Sequence, residues 1–180
     1  EAIRSFRSAA QLDPDCAMAH WGVAYAYGPH VNKPMDSNDT AAAWEELQLA
    51  VAGKAKVSEK EQAYITALEK RYQPEHNDDR KALDRAFAGA MRELSKQYPD
   101  DLDLQVLFAE SLMNTMPWDY WTHDRTPKPE TTSSKSPGPR RSNAAPISRS
   151  IAAYARSTAS NVGVRSCGSG KASCAAVSSP

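Results

Sequence analysis

The sequence predicts an all-α fold of about six helices, which pair as antiparallel hairpins and precede a C-terminal tail. Apolar residues recur at steps of three and four in successive segments, as on the buried face of a helix. Turn-forming residues separate these segments after short intervals, which favours antiparallel packing of neighbouring helices. None of the segments alternates polar and apolar residues as a half-buried strand does.

The first two helices are predicted at residues 1–12 and 16–27. Phe6 lies on the apolar face of the first helix. Pro14 ends that helix, because a proline disfavours the helical conformation of the preceding residue, and it can begin the next one. The second helix is apolar on several sides, which is typical of a helix packed between two neighbours. Gly28 ends it.

The third and fourth helices are predicted at residues 40–52 and 58–72. Gly53 is a typical stop after the third helix. Ser58 and Glu61 have the spacing of a capping box, in which each side chain accepts a hydrogen bond from the backbone of the other residue. The sequence therefore predicts the start of the fourth helix more sharply than its end.

The fifth and sixth helices are predicted at residues 78–97 and 102–114. Phe87 and Leu94 belong to the apolar stripe of the fifth helix, which is the most amphipathic of the set. Pro99 lies in the break between the two helices, as Pro14 does between the first two.

A spacing of four, three and five residues recurs in two units: Ala2, Phe6, Ala9 and Pro14, and Phe87, Met91, Leu94 and Pro99. This spacing resembles the tetratricopeptide (TPR) repeat of about 34 residues, in which small residues fill close helix contacts and proline occupies the turn. Each unit is similar to the second helix of one repeat followed by the first helix of the next. The resemblance implies a helical solenoid built from hairpins.

A closer resemblance, to a set of bacterial TPR proteins of uncharacterised function, covers residues 1–130. This resemblance rests on the following residues: Leu12 to Gly22, Gly28-Pro29, Asn32, Pro34-Met35-Asp36, Ser58 to Tyr72, Tyr98-Pro99-Asp100-Asp101, and Pro117-Trp118-Asp119-Tyr120-Trp121. The resemblance implies further repeats on both sides and supplies no catalytic residues.

The resemblance implies an interaction scaffold, because the first helix of each TPR hairpin lines a concave groove that takes a protein or peptide partner. By position, the groove residues are Met18, Trp21 and Tyr25 on the second helix and Asp103, Val106, Glu110 and Met113 on the sixth. All 22 acidic residues but only 15 of the 22 basic ones lie in residues 1–130, so we expect a basic partner.

Residues 131–180 differ in composition from the rest of the chain. They contain seven basic residues, no acidic residue, no Leu and no Phe. Such a segment buries too little apolar surface to offset the entropy of ordering it. We therefore expect a second, low-complexity region from residue 131, either disordered or translated out of frame.

A second class of function is a metal- or ligand-binding protein or an enzyme. Cys16 and His20 are one helical turn apart and His30 follows in a loop, but two or three candidate ligands fall short of a structural zinc site. The aromatic segment Trp118–His123 could stack on a ligand, although such aromatics more often fold back over a core. We expect the chain to have no catalytic residues, metal ion or cofactor.

Neither a nucleic acid nor a membrane is an expected partner, because the tail is sparsely basic and no apolar run is long enough to span a bilayer.

The chain begins within a predicted helix and without Met, so we expect a fragment. A cytoplasmic location is favoured, with export left open. Repeat ends without neighbours predict self-association.

Overall fold

The structure, a computed structural model, describes residues 1–132, without the side chains of Glu130 and Thr132. Within that range the protein is all-α, as the sequence predicts. The helices are α1 (Ala2–Leu12), α2 (Ala17–Tyr27), α3 (Ser37–Gly53), α4 (Glu59–Leu68), α5 (Lys81–Gln97), α6 (Leu102–Asn114) and a single turn, α7 (Pro129–Thr132). The tail predicted from residue 131 lies outside the described residues, apart from the two threonines that complete α7.

Side-chain caps fix the starts of three helices. Ser58 and Glu61 form the predicted capping box at the start of α4. Asp36 accepts a hydrogen bond from the backbone of Asn38 at 2.9 Å, so α3 begins at Ser37, earlier than the apolar pattern predicts. Asp101 caps α6 in the same way. Caps therefore set these boundaries more sharply than the periodicity of apolar residues does.

Helix α4 ends at Leu68, although the apolar pattern predicts that it continues to residue 72. The backbone N–H of Arg71 donates to the carbonyl of Leu68 at 2.9 Å, which forms a tight turn. This turn carries the side chains of Arg71 and Tyr72 into the interior, where they are 1% and 5% exposed. The two residues that the apolar pattern assigns to the last turn of α4 therefore belong to a turn whose side chains are packed inward.

Helix α2 is the centre of the fold and packs against α1, α3 and α4. Small residues permit these contacts. A Cβ atom at Gly22 would lie 2.4 Å from the ring of Phe6 on α1, and one at Gly53 would lie 2.8 Å from the Cβ of Ala17. The neighbouring helices therefore approach α2 closely on both sides, as its many apolar faces predict.

The core extends from α2 to α6 and includes residues from every one of these helices. Its fully buried members include Ala24, Ala43, Leu47, Ile65, Leu68 and Leu104. Helix α1 contributes no buried residue, and Ala9 on it is half-buried. The placement of Ala9 at a close helix contact stays a prediction.

Candidate partner-binding face

Alternate helices α2, α4 and α6 are linked in series by side-chain hydrogen bonds. The indole Nε1 of Trp21 on α2 donates to the carbonyl of Tyr64 on α4 at 3.1 Å. Lys60, in the first turn of α4, donates to the carboxylate of Asp101 at the start of α6 at 2.8 Å. The starts of α4 and α6 thus lie next to each other at one edge of the molecule, and α2 joins α4 at its middle.

Tyr25 and Glu110 link α2 directly to α6. The phenol of Tyr25 donates to the Glu110 carboxylate, and its ring stacks on Trp21 with a centroid distance of 5.2 Å. The other Glu110 oxygen accepts from the amide of Asn114 at 2.7 Å. Tyr25 and Glu110 are both groove residues by the TPR resemblance, and here they contact each other.

The seven residues that the TPR resemblance predicts to line a groove divide into an accessible set and an engaged set, whose side chains are buried or hydrogen-bonded to one another. Met18 and Val106 are half-buried, and Asp103 is exposed. Trp21, Glu110 and Met113 are buried, and the hydroxyl of the half-buried Tyr25 is occupied by its bond to Glu110. The accessible residues belong to the first half of each helix, and the engaged ones extend toward the helix C-termini.

Arg71 holds the engaged half of this face together, and sequence reasoning missed it. Its guanidinium lies 4.8 Å from the ring centroid of Tyr25 and 4.7 Å from that of Phe87. It also donates to the carbonyl of Pro29 at 2.6 Å, and Asn114 donates to the same oxygen at 3.3 Å. An arginine after an apolar helix is usually solvated, so no local signal predicts this burial.

Gly28 allows the backbone after α2 to pass close to the side chains of Arg71 and Tyr72. A Cβ atom there would lie 2.4 Å from the hydroxyl oxygen of Tyr72 and 3.1 Å from Nη1 of Arg71. The Tyr72 hydroxyl donates to the carbonyl of Ala24 at 2.7 Å. Burial raises the pKa of Tyr72, so its phenol stays protonated and remains a donor. The residue that ends α2 is therefore also required to be small.

The Cys16, His20 and His30 hypothesis finds no geometric support. The ring nitrogens of His20 lie 2.7 Å from a Glu46 oxygen and 3.0 Å from the Pro14 carbonyl, so both are occupied. Cys16 is buried, and burial raises the pKa of its thiol. His30 is exposed in a turn. Among residues 1–132, no three His, Cys, Asp or Glu side chains are grouped so that they could hold a metal ion.

His76 is a further histidine with two partners, in the connection between α4 and α5. Its Nδ1 lies 2.8 Å from the hydroxyl of Thr40 and its Nε2 lies 3.0 Å from the carboxylate of Asp78. Thr40 is only 6% exposed, and its hydroxyl also reaches the carbonyl of Asp36 at 3.4 Å. The arrangement ties this connection to the start of α3 and does not present a nucleophile to solvent.

The segment Trp118–His123 exposes its two tryptophans, whereas Tyr120 packs inward: its hydroxyl is buried, and burial together with the charge of Glu110 raises its pKa. Trp118 is 73% exposed with a φ of 64°, and Trp121 is 49% exposed. A hydrogen bond of 2.9 Å from the Thr122 backbone to Thr126 closes a small hairpin. A positive φ at a bulky residue costs free energy, so the surrounding hydrogen bonds must hold this conformation.

No family model matches the chain, and no curated protein or solved structure is significantly similar to it. In the part of the chain that the structure describes, no helix is both long and apolar enough to span a bilayer.

Proposed function

We propose that this chain is a protein-interaction module and not an enzyme. It is a TPR-like helical repeat that holds a peptide or protein partner on the face formed by α2, α4 and α6. The observation that carries the proposal is the serial linkage of these alternate helices, from Trp21 to Tyr64 and from Lys60 to Asp101. Stacked helical hairpins present their first helices on one surface in this manner.

The composition of the accessible residues is also that of an interaction surface. Met18 and Val106 offer partly exposed apolar side chains, and Asp103 offers a charge one helical turn from Val106. Apolar anchors with a polar rim are typical of protein interfaces. Arg71 and the residues around it hold the helices in fixed relative positions, which reduces the entropy lost on binding.

Site-specific photocrosslinking in cells tests this proposal. A benzophenone amino acid is placed at Met18 or Val106 in separate variants, and at Gln48, an exposed residue of α3, as the matched control. We expect Met18 and Val106 to crosslink to the same partner, identified by sequencing the crosslinked peptides, and Gln48 not to. Equal yields at all three positions would refute a binding face on α2 and α6.

A second candidate site is the hairpin at Trp118–His123. The observation that favours it is the exposure of two tryptophans on a segment whose backbone is strained at Trp118 and tied by hydrogen bonds. Strain held by its surroundings is often found at functional sites. The same crosslinker at Trp121 separates the two candidates, because each predicts crosslinks at its own position only.

A further inference from the structure

The accessible half of the face contains an apolar patch next to uncompensated negative charge. Leu102, at the start of α6, is 77% exposed, and Val106 is half-buried one turn later. Side chains four residues apart on a helix are neighbours, so these two form one patch, with Asp103 beside them. We name Leu102, Asp103 and Val106 the α6 patch.

The engaged half of the face limits a ligand to this patch. Tyr25 is bonded to Glu110, and Asn114 and Arg71 pack behind them. Opening that half would break the bond between α2 and α6 and expose buried polar groups, which costs free energy. The α6 patch needs no such rearrangement, because its three side chains are already accessible.

The helix starts around the patch are acidic. Within residues 59–61 and 100–103, five carboxylates accompany one ammonium group: Glu59, Glu61, Asp100, Asp101 and Asp103, with Lys60. Glu61 and Asp101 cap the positive ends of α4 and α6, and Lys60 pairs with Asp101. Glu59, Asp100 and Asp103 are exposed, and no ion pair within the described residues compensates them.

The negative potential at this edge also affects nearby groups. Burial raises the pKa of Tyr64, and the charges of Asp101 and Asp103 raise it further. The hydrogen bond that Lys60 donates to Asp101 raises the pKa of Lys60, and the charge of Glu61 acts in the same direction. An additional anion at this edge is therefore disfavoured, and a cation is favoured.

We propose that the α6 patch binds a partner segment that combines apolar side chains with lysine or arginine, and that Asp103 determines this specificity. The inference rests on the proposed interaction function and names the chemistry of its partner. The apolar side chains of the partner cover Leu102 and Val106. Its basic side chains pair with Asp103 and with the exposed carboxylates nearby. A nucleic acid is disfavoured because its phosphates would face the same carboxylates.

The test uses the full chain and two labelled peptides. One is an amphipathic peptide of about four helical turns made of leucine and lysine only, and the other carries glutamate in place of lysine. Fluorescence anisotropy should detect binding of the lysine peptide and not of the glutamate peptide. Salt at about 0.5 M should weaken this binding, because the exposed charges are then screened. Equal binding of both peptides would overturn the inference.

Charge variants locate the site. Asp103→Lys should weaken binding of the lysine peptide by about fivefold, the range expected for exposed ion pairs. Asp79→Lys makes the same charge change at an exposed position between α4 and α5 and should have less than about half of that effect. Asp103→Asn removes the charge with little change in shape and should weaken binding by about twofold. It keeps the test informative if Asp103→Lys fails to fold. Equal effects of Asp103→Lys and Asp79→Lys would overturn the assignment to the α6 patch.

A second copy of this chain is the competing occupant. If sedimentation without peptide reveals a dimer that Val106→Glu dissociates, the patch is a self-association surface and the proposed partner chemistry is wrong. A crosslinked partner at Val106 whose contacting segment is not basic would also overturn this inference, but would leave the proposed function intact. Failure of Met18 and Val106 to crosslink above Gln48 would instead refute the proposed function itself.

Discussion

Replacing Arg71 separates the contribution of its charge from that of its volume. The side chain is 1% exposed and lies between the rings of Tyr25 and Phe87. Arg71→Met keeps most of the volume and removes the charge, whereas Arg71→Ala removes both. Arg85 is an exposed arginine on α5 and serves as the matched control.

The expected magnitudes follow from the contacts of Arg71. Its hydrogen bond to the carbonyl of Pro29 contributes about 1.5–3 kcal/mol as a charged donor, and the two ring contacts together contribute about 2–4 kcal/mol. Among residues 1–132, its Nε and Nη1 find no hydrogen-bond partner although both are buried, which costs about 1–3 kcal/mol for each group. These terms nearly cancel, so Arg71→Met should cost only about 1–2 kcal/mol. Arg71→Ala adds a cavity and should cost about 3–5 kcal/mol in total.

Urea unfolding of the full chain, followed by far-UV circular dichroism, measures these differences. Arg85→Ala should change the free energy of unfolding by no more than about 0.5 kcal/mol, as is usual for an exposed side chain. If Arg71→Met were as destabilising as Arg71→Ala, the charge and not the volume would stabilise the cluster. If neither variant were destabilised beyond Arg85→Ala, the buried placement of Arg71 would be wrong.

Two glycines of the helices and one ion pair provide further predictions. Gly22→Ala should lower stability by about 1–3 kcal/mol in thermal unfolding, because the new Cβ would meet the Phe6 ring at 2.4 Å. Gly89→Ala on α5 should raise stability by about 0.5–1 kcal/mol, because no atom of the described part of the chain lies within 4 Å of the new Cβ and alanine favours the helix. Equal effects of the two would contradict the α1–α2 contact. Asp101→Asn keeps a helix cap but loses the ion pair with Lys60 and should cost about 0.5–1 kcal/mol near neutral pH. Burial tends to raise the pKa of Asp101, but its hydrogen bonds to Lys60 and to the backbone together outweigh burial and lower it. The stability difference between the protein and Asp101→Asn should therefore disappear as the pH falls below the ordinary aspartate pKa of about 3.9. The pKa of Lys60 is raised, so the difference should also shrink at strongly alkaline pH, and a difference that persists at both extremes would not come from the ion pair.

The sequence alone determined the helical fold and several of its boundaries. The capping box of Ser58 and Glu61 and the break at Pro14 act through bonds between residues close in the chain, so their effects can be read without knowledge of the rest. The apolar surfaces of α2 likewise predicted a helix packed between neighbours, because the pattern of burial follows the helical period. The candidate face was predicted only by position, through the TPR resemblance.

The tertiary structure decided which residues of that face are accessible. Tyr25 and Glu110 are 85 residues apart in the chain, and their hydrogen bond exists only because α2 and α6 are brought together. The burial of Arg71 has the same origin, since its guanidinium lies against the rings of Tyr25 and Phe87 and donates to the Pro29 carbonyl. The secondary-structure propensities of single residues do not predict such contacts, because the free energy of each contact depends on partners that are close only in the folded chain.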